Sequence, residues 1–181
     1  MLFHMGQVIY TVGHSNRSID EFVELLREHG IERLIDIRTM PRSRTNPQFN
    51  QDTLGPYLRN RKIGYRHMAG LGGLRHTTKN SVNLGWHNKS FRGYADYMQS
   101  DQFDEALETL IELAKEKTTA IMCAESVPWR CHRSLVGDAL LARKFKVLDI
   151  MSKTSAKEHR LNPMAVVKAG KITYPSDLED S

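Results

Sequence analysis

The residues best suited to chemistry lie in one stretch, 118–134, which reads TTAIMCAESVPWRCHRS and holds both cysteines of the chain, Cys123 and Cys131. The apolar run 119–122 predicts a short buried strand, and a helical pattern of apolar residues begins at Leu135. A reactive loop between a strand and a helix is typical of sites at the carboxyl edge of an α/β sheet. The helix N-terminus also favours an anion or a thiolate.

Cys123 ends the predicted strand, and Arg130 follows it with the spacing C-x6-R. Cysteine-dependent phosphatases and rhodaneses use a similar design, in which a thiolate lies at the base of a loop and an arginine binds the oxyanion. Their loops are shorter, however, and Pro128 and Trp129 are bulky for a loop that wraps a small anion. Cys123 is therefore either a nucleophile or a small apolar residue packed at a strand end.

Cys131 is a second candidate nucleophile because it lies near the first helical turn, between Arg130 and the pair His132 and Arg133. A helix N-terminus, an arginine and a histidine each lower the pKa of a thiol. His132 is a candidate base for this thiol or a cap for the loop. The two cysteines are also a candidate redox pair, although their spacing is not C-x-x-C.

A zinc site is a further alternative, with the cofactor otherwise unknown. Cys123, Cys131 and His132 would provide thiolate and imidazole ligands, and His14 or His67 would complete the set. The separation of the two cysteines is larger than in the usual zinc knuckle. The sequence therefore assigns no metal ligand.

Asp36 lies in an apolar run that predicts a buried strand, so its charge requires a partner. Arg38 is the nearest candidate, and a structural ion pair is the first interpretation. A functional interpretation makes Asp36 a general base or a residue that orients His14. Tyr94 is a candidate for stacking on a nucleic-acid base, or for ordinary packing.

The candidate site residues form two groups. The candidate catalytic residues are Cys123, Cys131, His132 and Asp36. The candidate anion- or substrate-binding residues are His14, Arg38, Arg42, Arg44, Arg92, Tyr94, Glu125, Arg130 and Arg133. Arginine dominates the second group, and its planar guanidinium suits phosphate or carboxylate.

The composition is that of an ordinary globular protein of 181 residues, with 40% hydrophobic and 26% charged residues, and it predicts one domain over 1–181. No apolar run approaches the roughly 18 residues of a membrane span. The first residues lack the features of a signal peptide, so we expect a cytoplasmic protein with free thiols. The net charge of +5 is compatible with a phosphate-bearing partner.

The elements that would position these residues begin with a strand at 8–12, which Gly13 ends. A helix should follow, since Ser18 and Glu21 form a capping box, and Gly30 should end it. A second strand at 34–37 completes a βαβ unit, which requires a parallel sheet and a right-handed crossover.

The remaining segments predict an α/β fold: a mostly parallel sheet of about five strands flanked by helices, with a small C-terminal hairpin. The predicted helices lie at 52–61, in a region that begins at 94–98, at 103–117 and from the cysteine-containing loop to about 144. The predicted strands lie at 65–68, 119–122 and 146–151. A hairpin is predicted within 166–174 and a frayed end at 176–181. The long loop 69–93 is interpreted as a lid or a mobile segment.

Several segments of the chain together resemble one known family: TVGHSNRS, LIDIRTMPRSRTNPQFN, LGG, FRGYADYM, MCAESVPWRCHRSLVGDAL and HRLNPMA. They resemble the domain of unknown function 488 family, over about residues 8–174. The resemblance implies no activity. The positions that carry the family pattern are Gly13, His14, Ser15, Asp36, Arg38, Pro41, Phe49, Gly72, Gly73, Arg92, Gly93, Tyr94, Cys123, Glu125, Arg130, Cys131, His132 and Arg133.

The sequence thus supports two functional hypotheses. The first is a thiol-dependent transferase or hydrolase that acts on a phosphate-bearing or nucleic-acid substrate, with Cys123 or Cys131 as nucleophile and His132 or Asp36 as the proton carrier. The second is a nucleic-acid-binding module without catalysis, whose cysteines are structural or bind metal.

Overall fold

The computed structural model describes residues 7–176. The predictions made for the first six residues and for most of the frayed end, 177–181, lie outside the described residues. The strands are β1 (Val8–Gly13), β2 (Arg33–Asp36), β3 (Gly64–His67), β4 (Thr119–Cys123), β5 (Lys146–Ser152), β6 (Ser155–Glu158), β7 (Val166–Lys168) and β8 (Lys171–Thr173). The helices are α1 (Ile19–Glu28), α2 (Gln51–Asn60), α3 (Lys89–Tyr97), α4 (Asp101–Glu116) and α5 (Arg133–Ala142).

Six strands form one sheet in the order β3-β2-β4-β1-β5-β6, and the first five of these are parallel. β6 runs antiparallel to β5 at one edge, and β7 pairs with β8 in a separate hairpin. The predicted α/β fold, with its mostly parallel sheet and C-terminal hairpin, is confirmed. The sixth strand was not predicted, because its sequence SAKE has no β-rich alternation.

The helix α1 begins and ends as its sequence predicts. The Ser18 side chain accepts a hydrogen bond from the Glu21 backbone N–H at 3.1 Å, which satisfies one free donor at the helix N-terminus. Gly30 follows the last turn with a φ of +69°, a conformation that glycine adopts without steric cost. The capping residues therefore fix where the first crossover returns to the sheet.

Apolar residues cover both faces of the sheet. Alternate residues of β4 face opposite sides: Ala120 and Met122 pack with α1 and α2, whereas Ile121 and Cys123 pack with α3, α4 and α5. This burial on both faces is expected for a parallel strand at the centre of a sheet. It also sets the direction of Cys123, which points toward α5. Within 7–176, no helix is long and apolar enough to cross a membrane.

Candidate active site

A cavity of about 530 Å³ opens at the carboxyl edge of the sheet. Among the predicted site residues, those that line it are His14, Arg38, Arg42, Cys123, Glu125, Arg130, Cys131 and His132. Residues not predicted as site residues also line it, including Thr39, Met40, Ser43, Gly73, Leu74, Asn88, Ser90, Phe91 and Ala124. The strand ends of a parallel sheet meet at one edge, which explains why residues distant in sequence share this cavity.

The ends of β1 and β4 form the floor of the cavity. Gly13 and Cys123 are neighbours in the parallel ladder, and the His14 backbone N–H donates to the Cys123 carbonyl at 3.0 Å. A Cβ atom at Gly13 would lie 1.7 Å from the Glu125 carbonyl oxygen. Only glycine therefore lets the loop after Cys123 pass this close to β1.

The Cys123 thiol is 2% exposed and lies between two groups that stabilise its ionised form. Arg133 donates to the sulfur from Nε at 3.2 Å, and the Cys131 thiol hydrogen-bonds to it. Burial by itself raises the pKa of Cys123, but the Cys131 hydrogen bond and the Arg133 charge outweigh it and lower the pKa to about 7. Cys123 is therefore substantially a thiolate at neutral pH.

Cys131 has the opposite character. Its hydrogen bond to Cys123, together with burial, raises its pKa well above the usual range for a thiol. Both cysteines are free, and Cys131 is less buried than Cys123. When two thiols share one proton, the first ionisation belongs to the pair. We assign the thiolate to Cys123, since Arg133 donates directly to that sulfur.

His132 precedes α5 and is neutral at physiological pH. Burial lowers its pKa to about 4, more strongly than its contact with the Ile37 carbonyl raises it. Its Nε2 lies 3.0 Å from that carbonyl oxygen and so carries the proton, which leaves Nδ1 as an acceptor 3.4 Å from the Cys131 sulfur. A Cβ at Gly73 would lie 2.5 Å from Nδ1, so glycine is required where the long loop passes the ring.

His14 is also a neutral acceptor at the cavity wall. Burial lowers its pKa to about 4, and Nδ1 donates to the Ser15 carbonyl at 2.7 Å. Its Nε2 then accepts from Arg38 Nη1 at 3.4 Å, and the ring stacks on Phe49 with centroids 4.3 Å apart. These contacts fix the tautomer and the ring plane of His14.

Asp36 and Arg38 form a buried bidentate ion pair, as the first interpretation of the sequence requires. Arg38 donates from Nε to Oδ1 at 2.9 Å and from Nη2 to Oδ2 at 2.7 Å. Tyr65 donates its hydroxyl proton to Oδ2 at 2.5 Å, and Arg38 also donates to the Phe49 carbonyl at 2.7 Å. Asp36 is fully buried beneath the cavity, so its observed contact with the site runs through Arg38.

Four other predicted site residues lie away from the cavity surface. Arg44 is exposed, and half-buried Arg92 donates to the Trp86 carbonyl at 2.8 Å. Tyr94 is buried, donates to the Leu71 carbonyl at 2.8 Å, and packs 4.9 Å from the His132 ring. Arg133 is fully buried behind Cys123.

Four of the residues proposed as zinc ligands, His14, Cys123, Cys131 and His132, line this cavity, but in the described residues they are not arranged as a metal site. Within 7–176, no group of three or more histidine, cysteine, aspartate or glutamate side chains is arranged to hold a metal ion. His67, one of the proposed ligands, instead contacts the Arg38 carbonyl oxygen through Nε2 at 2.6 Å.

The segment 69–93, interpreted from sequence as a lid or a mobile segment, contributes Gly73, Leu74, Asn88, Ser90 and Phe91 to the lining of the cavity. Asp96 of α3 anchors its middle by accepting from the Thr78 backbone at 2.8 Å, the Ser81 hydroxyl at 2.6 Å and the Asn83 amide at 2.8 Å. This anchoring shows the loop packed in place. Apart from Gly73 and Phe91, which lie in segments that resemble the family, its cavity-lining residues carry no sequence signal for a site, because their role depends on where α3 holds the loop.

Neither the curated proteins nor the solved structures contain a match to this chain. A family model described as "Domain of unknown function DUF488" matches residues 18–140 of the 181, a span that includes both cysteines, Asp36 and Arg38. The matched span is narrower than the 8–174 resemblance, and it leaves out His14. It covers more than half of the chain, so this protein belongs to the DUF488 family.

Proposed function

We propose that this protein is a thiol-dependent transferase or hydrolase that acts on an anionic, phosphate-bearing substrate, with Cys123 as its nucleophile. The observation that carries the proposal is the position of the Cys123 sulfur, between the Arg133 guanidinium and the Cys131 thiol at the base of a cavity. A thiolate, rather than a thiol, is the nucleophile in such reactions.

The lowered pKa supports the proposal quantitatively. With a pKa of about 7, roughly half of Cys123 is ionised at neutral pH, whereas a free cysteine with a pKa of about 8.5 is a few per cent ionised. A reducing cytoplasm, which we propose as the location, would keep both thiols free for reaction.

The charge around the cavity supports an anionic substrate. Arg42 and Arg130 are exposed and line the cavity, and no carboxylate of the described residues forms an ion pair with either one. Guanidinium groups that are not already neutralised can bind a phosphate through two hydrogen bonds. Glu125, also at the cavity, would disfavour a second anionic group on its side.

The proposed reaction has two steps. The Cys123 thiolate attacks the electrophilic centre and forms a bond from sulfur to substrate, and the leaving group departs with its electron pair. Cys131, which keeps its proton, donates it to the leaving group, and water or an acceptor alcohol then attacks the covalent intermediate and regenerates the thiolate. Neutral His132 accepts the proton of the attacking group and returns it to Cys131, from which its Nδ1 is 3.4 Å away.

The first experiment measures the ionisation and reactivity of each cysteine. Ultraviolet absorbance of the thiolate and the rate of alkylation by iodoacetamide are recorded against pH for the wild type, Cys123→Ser and Cys131→Ser, with peptide mass spectrometry to assign the site. We expect Cys123 to titrate near pH 7. Turnover of a chromogenic phosphate ester should disappear in Cys123→Ser. A Cys123 that titrates at the ordinary value of about 8.5 would contradict the proposal.

A nucleic-acid-binding module is the second candidate, supported by the exposed arginines Arg42, Arg44 and Arg130 and the net charge of +5. A binder that neutralises several phosphates should lose affinity steeply with added salt. Binding of a single-stranded oligonucleotide, measured at two salt concentrations, tests this candidate. If binding survives in Cys123→Ser and no phosphate ester is turned over by the wild type, the binding module is favoured.

A further inference from the structure

Arg133 makes its bonds in two directions from a fully buried position. On the cavity side its Nε donates to the Cys123 sulfur at 3.2 Å, and on the opposite side its Nη1 donates to the Thr11 hydroxyl at 2.7 Å. Its Nη2 donates to the Glu125 carbonyl at 2.9 Å and to the Ser126 carbonyl at 3.3 Å. None of the described carboxylates contacts Arg133 directly, so the orientation of the guanidinium depends on neutral oxygen acceptors.

Thr11 connects Arg133 to a carboxylate. Its hydroxyl lies 2.5 Å from Asp149 Oδ1, and the two residues face each other in the parallel pairing of β1 with β5. A hydroxyl has one proton, and the Asp149 carboxylate can only accept it. The Thr11 oxygen therefore presents its lone pairs to Arg133, which makes it a directed acceptor for the guanidinium.

The Asp149 carboxylate is itself fixed by a hydrogen bond from a histidine. His159 contacts Asp149 Oδ2 through Nδ1 at 2.9 Å and Asp138 Oδ1 through Nε2 at 2.9 Å. Tyr174, beside the C-terminal hairpin, donates to Asp138 Oδ2 at 2.7 Å. Burial lowers the pKa of His159, but its hydrogen bonds to the two carboxylates outweigh burial and raise the pKa to about 9. As an imidazolium it donates from both nitrogens.

We propose that Thr11, backed by Asp149 and His159, is a positioning residue for the cavity thiol, because it holds the Arg133 guanidinium with Nε aimed at Cys123. The inference rests on the proposed function, since it explains how that nucleophile is kept ionised. A buried polar network of this kind stabilises a fold little better than apolar side chains of similar volume would. Its distinctive effect is to fix a geometry, here that of one cation beside one sulfur.

Thr11 and Asp149, the two residues of the network nearest Arg133, are not equally useful for a test by substitution. Asp149→Asn would have two opposing effects on the pKa of the thiol. The loss of an anion would lower this pKa, whereas the looser position of Arg133 would raise it. Thr11→Val keeps the shape of the side chain and every charge while it removes the acceptor. Thr11→Ser keeps the hydroxyl and is the matched control.

The experiment titrates the thiolate absorbance of the wild type, Thr11→Val and Thr11→Ser. Cys131 also contributes a thiol beside Cys123. Each of the three proteins is therefore titrated both with Cys131 present and with the additional substitution Cys131→Ser. We expect Thr11→Val to raise the apparent pKa of Cys123 by about one unit, which at lower pH reduces the thiolate fraction about tenfold. Thr11→Ser should titrate like the wild type.

The outcomes separate this inference from the proposed function. A wild-type Cys123 with an ordinary pKa defeats the proposed function. A wild-type pKa near 7 that Thr11→Val leaves unchanged, even with a lower melting temperature, shows that the network is structural only and overturns the inference.

If Thr11→Val does not fold, the Arg133 Nε–H resonance of the wild type provides the test. A held guanidinium predicts slow exchange of this proton with water and a chemical shift that follows the titration of Cys123. Fast exchange would overturn the inference.

Discussion

Arg38 and Arg133 are both buried near the carboxyl edge of the sheet, yet their charges are engaged differently. Arg38 is bonded to both oxygens of the Asp36 carboxylate. Arg133 donates to the Cys123 sulfur and otherwise only to neutral oxygens. The first cation is neutralised by a permanent anion, whereas the second faces an anion that exists only when the thiol is ionised.

The two arginines also differ in their contact with the thiol, since Arg133 donates to the Cys123 sulfur and Arg38 has no described contact with it. Arg38 and Cys123 line the same cavity, but among the charges that lower the pKa of Cys123 it is Arg133 that acts. Arg38 instead pairs with Asp36 and contacts His14, while Arg133 stabilises the thiolate of Cys123, the proposed nucleophile.

The largest effect should come from breaking the Arg38 pair. Asp36→Asn leaves a buried guanidinium without its anion, and we expect the free energy of unfolding to fall by about 3–5 kcal/mol. Urea denaturation measures this loss. Glu116→Gln, which removes an exposed partner of Arg33, is the control and should cost at most about 1 kcal/mol. If both variants lost the same free energy of unfolding, burial of the Asp36–Arg38 pair would not increase its contribution to stability.

Removing the charge of Arg133 should have its main effect on the thiol. We expect Arg133→Met to raise the pKa of Cys123 by about 1–2 units, because a hydrogen bond and a cation near the sulfur are both lost. Thiolate absorbance against pH measures the change. Arg42→Met removes an arginine that lines the cavity and should shift the same pKa much less. A similar shift in both variants would mean that the general charge of the cavity, rather than the Arg133 contact, ionises Cys123.

The sequence alone is enough to pair one of the two buried arginines, Arg38, with its carboxylate. It is also enough to place the cysteines at an edge of the sheet. Asp36 in an apolar strand requires a cation, and Arg38 is close enough in sequence to be named as that partner. Cys123, Cys131 and His132 could be assigned to one sheet edge because a strand, a loop and a helix follow one another there. Local patterns thus predict contacts between residues that are close along the chain.

The setting of Arg133 could not be predicted in the same way. The sequence groups it with the candidate anion-binding arginines, whereas the structure places it behind Cys123, because the first turn of α5 directs its side chain toward β1. Its acceptor Thr11 is 122 positions away, and Asp149 is 138 positions from Thr11. Those contacts depend on strand order and register, which hydrophobic patterns along one segment do not specify.

The smallest expected effect is on the pH dependence of the free energy of unfolding. It tests the different roles of Arg38 and Arg133 while both arginines stay in place. The pKa of Cys123 is lowered from 9.0 to about 7, so the folded protein releases this proton earlier than the unfolded chain does. The resulting stabilisation is full above pH 9 and is lost as the pH falls through 7. We therefore expect the free energy of unfolding of the wild type, relative to Cys123→Ser, to rise by about 1–2 kcal/mol between pH 7 and 9.

His159 makes the difference between the two proteins more informative than either curve alone. Its pKa is raised from 6.5 to about 9, so its contribution is full below pH 6.5 and is lost as the pH rises through 9. This opposing change occurs in both proteins and cancels when they are subtracted. Arg38, whose pKa is raised by Asp36 against the effect of burial, keeps its charge across this range and adds no slope. A flat difference curve would mean that Arg133, like Arg38, stabilises the fold without ionising the thiol.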